Sequence, residues 1–337
     1  MDTKIRVENV GYYHCDRDLS ANLVSDELTQ LKTLNGYSEY LNHSIRKLPN
    51  CKLNTKIPTP EFSESQMESF LDYIGQNGFG NQKPNFVTSK DLLKSVTSLE
   101  THLIHVCKVG GVIFVLKMDK ENAMESKNQL IFNHLMTKKS ENEPIRNDSI
   151  QKGVWKAEIL NGGKKEYSIL YSGKVDAIQK TKMGKSRNYE LEVAFGGTET
   201  DAFWWEKSCK LFWKSFFGAS PSIIIASRTG EFAFKRKISD ILVTYPKNSI
   251  YEIKELSRDE MPSLAAPNNQ RPLWTVSDGK KNLYNFLKLV KSHVKRDGDC
   301  FVISRIPGSQ KWNFKQDTVS VGTFREAIQR SISNLYN

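Results

Sequence analysis

The sequence predicts an α/β protein built as a single domain on mixed sheets, and three observations carry that expectation. Short segments with alternating side chains, such as 154–160, 168–178 and 188–195, are interspersed with stretches whose apolar residues repeat at helical spacing. Two apolar runs meet at Gly110-Gly111, a pair that tolerates positive φ at both turn positions and so reads as a hairpin over 101–119. At 38% apolar and 26% charged over 337 residues, the chain is ordinary globular material, large enough for one big core.

Taken in order, 10–18 reads as an edge strand or loop and 23–34 as a short helix. Pro58 and Pro60 precede a cap region and a helix within 58–78, with Met67, Phe70, Leu71 and Ile74 on its apolar stripe. The stretch 86–96 is expected as a helix with Lys90 in its N-terminal turn. His102 and His105, three apart on a strand, face opposite ways and make no metal pair. A helix over 128–136 leads into polar 138–149, the first expected mobile loop. Residues 221–245 read as a buried strand, a turn at Thr229-Gly230 and a returning strand, and 257–272 as a second loop. One amphipathic helix lies within 273–300, carrying Leu283, Phe286, Leu287 and Val290. A strand at 300–308 and a helix at 323–336 close a domain spanning 1–337, without repeats or low-complexity tracts.

Several function classes are excluded. The longest apolar run, 109–116, is far too short to cross a bilayer, so no membrane partner is expected. The N-terminal segment has no hydrophobic signal core, which predicts a protein that stays inside the cell, in nucleus or cytoplasm. Five scattered cysteines without a CxxC pair read as reduced thiols, not a zinc site. The formal charge of +11 points to a polyanionic partner, since lysine and arginine neutralising phosphates dominate nucleic-acid affinity.

The chemistry concentrates between Tyr167 and Phe217. On strands, Lys174 and Asp176 share one face, as do Glu190 and Glu192. In an antiparallel hairpin with its basic tip at 179–187, Asp176 falls opposite Glu190 and Lys174 opposite Glu192. Such a crowd of carboxylates is costly unless something positive sits on it. With Glu158 from 154–160, these are hard oxygen donors of the kind that hold Mg²⁺ or Mn²⁺ for phosphate chemistry, a solvated acidic face being the plain alternative. On a helix over 201–217, Trp205, Cys209, Phe212 and Phe216 gather on one side for burial. Lys207, Lys210 and Lys214 gather on another, where they can meet a phosphate chain.

These segments, VGYYHCD (10–16), FVTSKDLLKSV (86–96), VWKAE (154–158), YSGKVDA (171–177), YELEV (189–193) and CKLFWKSFF (209–217), resemble in order the motifs of the decapping exoribonuclease (DXO) family. So do 273–287 and 323–328, so the resemblance spans nearly the whole chain. It implies two mixed sheets with helices packed outside, and an acidic site that uses Mg²⁺ or Mn²⁺ to remove cap-like structures and degrade RNA from the 5′ end. RNA 5′ ends are the implied partner, without a preference for DNA. A 5′–3′ exoribonuclease, which one branch of the family binds, is the implied protein partner. Carried over by position, Glu158, Asp176 and Glu190 are the implied metal ligands, joined by the Leu191 carbonyl. Glu192 and Lys174 complete the candidate catalytic set, and Lys90, Lys207, Lys210 and Lys214 are the candidate substrate contacts.

The chain also departs from the family. Lys90 stands for arginine, Lys174 for the first glutamate of E-h-D, Glu192 for the lysine of E-h-K, Lys214 for glutamine, and Val154 for glycine. An ammonium about 5 Å from a divalent ion is repelled by several kcal/mol at an effective dielectric of about 20. Two readings follow: a metal-dependent hydrolase with a rearranged site, or a protein that grips RNA 5′ ends without cutting them. A third keeps the fold but uses the loops at 138–149 and 257–272 for a protein partner.

Overall fold

The computed structural model describes residues 3–16, 18–23, 67–100, 103–118, 127–137, 150–180, 186–232, 234–238, 241–266, 272–305, 311–317, 319 and 321–335. Its strands are β1 (Thr3–Cys15), β2 (Ala21–Leu23), β3 (Phe86–Ser89), β4 (Leu103–Val109), β5 (Val112–Met118), β6 (Ile150–Asn161), β7 (Lys164–Lys174) and β8 (Ala177–Lys180). They continue as β9 (Ser186–Phe195), β10 (Ser222–Arg228), β11 (Phe234–Ile238), β12 (Ile241–Tyr245), β13 (Ile250–Ser257), β14 (Cys300–Arg305) and β15 (Trp312–Gln316). The helices are α1 (Glu68–Asn77), α2 (Lys90–Thr97), α3 (Lys127–Thr137), α4 (Ser208–Phe217), α5 (Met261–Leu264), α6 (Val276–His293) and α7 (Gly322–Ile332).

Two mixed sheets dominate, as expected. The larger has nine strands in the order β15-β14-β4-β5-β3-β7-β6-β1-β2, and the smaller has four, β13-β10-β9-β8. Parallel pairs (β3 with β5 and β7, β9 with β10) sit among antiparallel ones. Strand alternation divides the core. Ile113, Val115, Ile169 and Tyr171 face a shared interior with Ile223 and Ile225 of the small sheet and the apolar stripes of α2, α4 and α6. Val112, Phe114 and Leu170 face the other way, under Phe70, Leu71 and Ile74 of α1 and Phe324 and Ile328 of α7. Leu191 and Val193 look outward from the small sheet to Ile131 and Phe132 of α3.

Several expectations shift. The stretch 86–96 is a strand running into a helix, because Ser89 leaves the sheet in an extended conformation and caps α2 by accepting from Leu92 N. The strand after Thr229-Gly230 does not return beside β10. There β13 takes the antiparallel position, and β11 pairs only with β12 in a separate ribbon. The predicted loop at 257–272 contains α5, anchored by fully buried Met261. Of the expected helix at 23–34, Leu23 ends β2 and the rest lies outside the described residues, as do Pro58, Pro60 and the loop at 138–149.

The shift that matters most concerns 168–195. It is not one hairpin. β7 ends at Lys174 beside β6 in the large sheet, and the chain crosses at Val175 and Asp176 to begin β8 in the small one. Val175 N donates to Gln151 O at 3.0 Å, holding the crossover against β6. Ala177 pairs with Tyr189, and continuing that register sets Asp176 toward Glu190. Lys174, however, pairs with Lys152, not with Glu192.

Candidate phosphate-binding site

At the crossover lies a cavity of about 270 Å³, lined by Met67 and Phe70 and by Lys90, Asp91, Lys94, Lys152, Lys174, Asp176 and Lys214. Each charged group arrives on a different element. Lys90 is the first residue of α2, and its stem crosses β7 so closely that a Cβ at Gly173 would lie 2.4 Å from Lys90 Cβ. Glu190 comes inward from β9 and packs on the end of α4, where a Cβ at Gly218 would lie 2.4 Å from Glu190 Oε1. These two glycines are required by close approach.

The two acids are paired with ammonium groups, although Glu190 Oε2, buried, meets Lys214 as an ion pair without a hydrogen bond. Lys214 Nζ lies 2.9 Å from Asp176 Oδ2 and 3.0 Å from Glu190 Oε2. Lys90 Nζ donates to Glu190 Oε1 at 2.9 Å and to the Lys174 carbonyl at 2.6 Å. Asp176 also accepts from Leu191 N at 3.1 Å, and Lys174 Nζ stands 3.8 Å from its Oδ1. Burial alone would raise the Asp176 pKa, but Lys214, Lys174 and Lys90 together hold it far below the usual carboxylate range. Glu190 goes the other way. Its burial, reinforced by the Asp176 charge, outweighs Lys90 and Lys214 and pushes its pKa up. For Lys214, the attraction of Asp176, Glu190 and Glu192 outweighs desolvation and raises its pKa.

Of the remaining candidates, Glu158 does not join this group. It sits six residues beyond Lys152 on β6, about 20 Å along the strand, pairing at 2.7 Å with Lys165 on the molecular surface. Glu192 is bound by Lys207 at 3.3 Å instead of facing Lys174. The Leu191 carbonyl accepts from Gln129 Nε2 of α3 at 2.9 Å. Lys210 leaves the predicted lysine stripe to meet Glu100 at 2.6 Å. A π-helical turn at Phe203–Lys207 precedes α4. It breaks the 100° register, leaving Trp205 67% exposed while Leu211, Phe212, Trp213 and Phe217 are buried. Two lysines that the sequence did not single out, Lys152 and Lys94, line the cavity.

A divalent ion does not fit this donor set. It would need several oxygens at short range, yet both carboxylates already share Lys214, and a lysine stands at 174. Among the described residues no group of three or more His, Cys, Asp and Glu is arranged to hold a metal. Five ammonium groups (Lys90, Lys94, Lys152, Lys174 and Lys214) against three carboxylates (Asp91, Asp176 and Glu190) make instead a cavity with surplus positive charge, suited to a phosphate.

Comparison with known proteins bears on the fold. No family model matches the chain, and no curated protein matches its sequence. Solved structures do. *Schizosaccharomyces pombe* Rai1 in complex with 3′-FADP is similar at a TM-score of 0.68 and 18% identity, covering 93% of this chain and 95% of that one. *Candida albicans* Rai1 in complex with pU5-Mn²⁺ is similar at 0.71 and 12% identity, covering 99% and 97%. *Kluyveromyces lactis* Dxo1 in complex with manganese is similar at 0.60 and 10% identity, covering 92% and 89%. The chain therefore has the DXO-family fold, at a divergence large enough that its site must be read from its own residues.

Proposed function

We propose that this protein recognises the 5′ end of RNA and that its site binds that end without metal-driven hydrolysis. The observation that carries the reading is Lys214 Nζ between Asp176 Oδ2 and Glu190 Oε2, at 2.9 and 3.0 Å, where a hydrolase of this fold would need a divalent cation. Supporting it are the fold, the formal charge of +11 and the lysine-lined cavity. The *C. albicans* protein of the same fold is seen with pU5 and Mn²⁺. In this chain lysines supply the positive charge themselves, and Asp176 and Glu190 serve to hold Lys214 and Lys90 in place.

The test is binding of a fluorescent RNA carrying a 5′-monophosphate, against the same RNA with a 5′-hydroxyl, in chelator and across a salt series. The expected result is a preference for the phosphorylated end that persists in chelator, with affinity falling steeply with salt. Mn²⁺- or Mg²⁺-dependent release of nucleotides or cap fragments, abolished by Asp176→Ala, would restore the hydrolase reading. Indifference to RNA at every salt would remove both. The reading places the protein inside the cell, where RNA 5′ ends are exposed.

A further inference from the structure

We propose that Lys152 and Lys174 form a two-ammonium clamp for the terminal phosphate, an inference that rests on the 5′-end reading above and assigns its innermost contact. The two residues are direct register partners on antiparallel β6 and β7. Directly opposed residues on such strands project from the same face, and both line the cavity. Like charges so placed repel, and an anion between them converts that repulsion into attraction. Lys90 and Lys214 hold Glu190 and Asp176, and Lys94 holds Asp91 at 2.5 Å.

The surroundings of Lys152 suit an oxyanion. Its Nζ donates to Ser69 Oγ of α1 at 3.1 Å, and the Tyr13 hydroxyl braces both Ser69 (3.3 Å) and Ser172 (2.9 Å), so two hydroxyls flank the pair. Lys174 Nζ lies 3.8 Å from Asp176 Oδ1, and its side chain is about 30% exposed, within reach of a ligand in the cavity. A phosphate seated here shares the cavity with Met67 and Phe70, whose apolar side chains are available to the sugar and base that follow.

Footprinting on the unmodified protein tests the clamp directly. Lysines are acylated with an amine-selective reagent, with inorganic phosphate or with chloride at matched ionic strength, and read by mass spectrometry. Phosphate is expected to slow modification of Lys152 and Lys174 by about tenfold, as charge-assisted hydrogen bonds of ordinary strength require, and to leave exposed Lys281 unchanged. Lys152→Met and Lys174→Met should each reduce the preference for 5′-phosphate over 5′-hydroxyl RNA by about tenfold, with 5′-hydroxyl affinity nearly constant. If a variant fails to fold, footprinting still decides. Equal reactivity of both lysines with and without phosphate overturns the clamp. So does a wild-type preference that survives both substitutions, which would leave the end-binding reading standing. Protection by phosphate in a protein that ignores RNA would keep the clamp and sink the end-binding reading.

Discussion

The Lys214 ammonium lies 2.9 Å from Asp176 Oδ2, and the same ammonium is 3.0 Å from Glu190 Oε2. One lysine thus closes two buried carboxylates, one from the crossover between the sheets and one from β9. Removing it should expose what the acids do when left alone.

Lys214→Gln is expected to cost about 3–5 kcal/mol, the usual result of breaking a buried ion pair from one side. In thermal denaturation, Mn²⁺ should raise the melting temperature of this variant, because two carboxylates then face a gap that a divalent ion fills. The parent should not respond. A parent protein stabilised by Mn²⁺ as strongly as the variant would show that Lys214 does not stand in the cation's place.

Glu158 and Asp176 should respond oppositely to loss of charge. Glu158 is on the surface, its pKa lowered by the hydrogen bond from Lys165. Glu158→Gln is therefore expected to change stability by less than about 1 kcal/mol and to leave RNA affinity unaltered. Asp176→Asn keeps the Leu191 N contact but leaves Lys214 and Glu190 unbalanced, and should lose several-fold in 5′-phosphate preference along with stability. Urea titration and RNA anisotropy on the two variants provide the comparison.

How much of this was legible in the sequence follows from the range over which each signal acts. Local signals read well: the stripe of Met67, Phe70, Leu71 and Ile74 is buried, and Gly110 and Gly111 take φ of 56° and 81°. Order along the chain, a longer but still linear signal, was enough to indicate the two-sheet fold. The site was read only in part. Alternation placed Asp176 toward Glu190 correctly, yet nothing local marks the crossover at Val175, which sends Lys174 to Lys152. Position-by-position transfer set Glu158 in the site, whereas strand pairing brings Lys152 there instead. The helical stripe of Lys207, Lys210 and Lys214 assumed an unbroken α-helix; the π-helical turn takes Lys207 out of that register, while Lys210 and Lys214, both on α4, are drawn to different acids, Glu100 and Asp176.

Gly173→Ala tests the packing that aims Lys90 at Glu190. The added methyl would lie 2.4 Å from Lys90 Cβ, a backbone-anchored atom that cannot swing aside. The expected cost is about 1–3 kcal/mol, typical of overpacking, and would appear as a lower urea midpoint with an unchanged slope. No loss of stability would mean that α2 slides freely over β7.

The sharpest prediction concerns pH. Burial pulls the Lys152 pKa down to about 8, so in the free protein its ammonium begins to be lost just above neutrality. Cys15 acts in the opposite sense and favours the ammonium, while Tyr13, Asp91, Asp176 and Lys214 keep their charge in this range. Tyr13, on β1, is pushed well up by burial. Asp91 sits at about 2, its burial outweighed by Lys94 and Lys117, and Asp176 is held lower still. Lys214 is raised. The sign for stability follows from proton counting. The unfolded chain binds the Lys152 proton up to its ordinary value of 10.5 and the folded chain only to about 8, so this group's contribution to stability rises with pH between the two. The sign for binding is the reverse, since the phosphate needs the ammonium. Preference for 5′-phosphate over 5′-hydroxyl RNA should fall as pH rises through about 8, and Lys152→Arg, charged throughout, should flatten the profile. A decline equally steep in Lys152→Arg would assign it to another group and take Lys152 out of the contact.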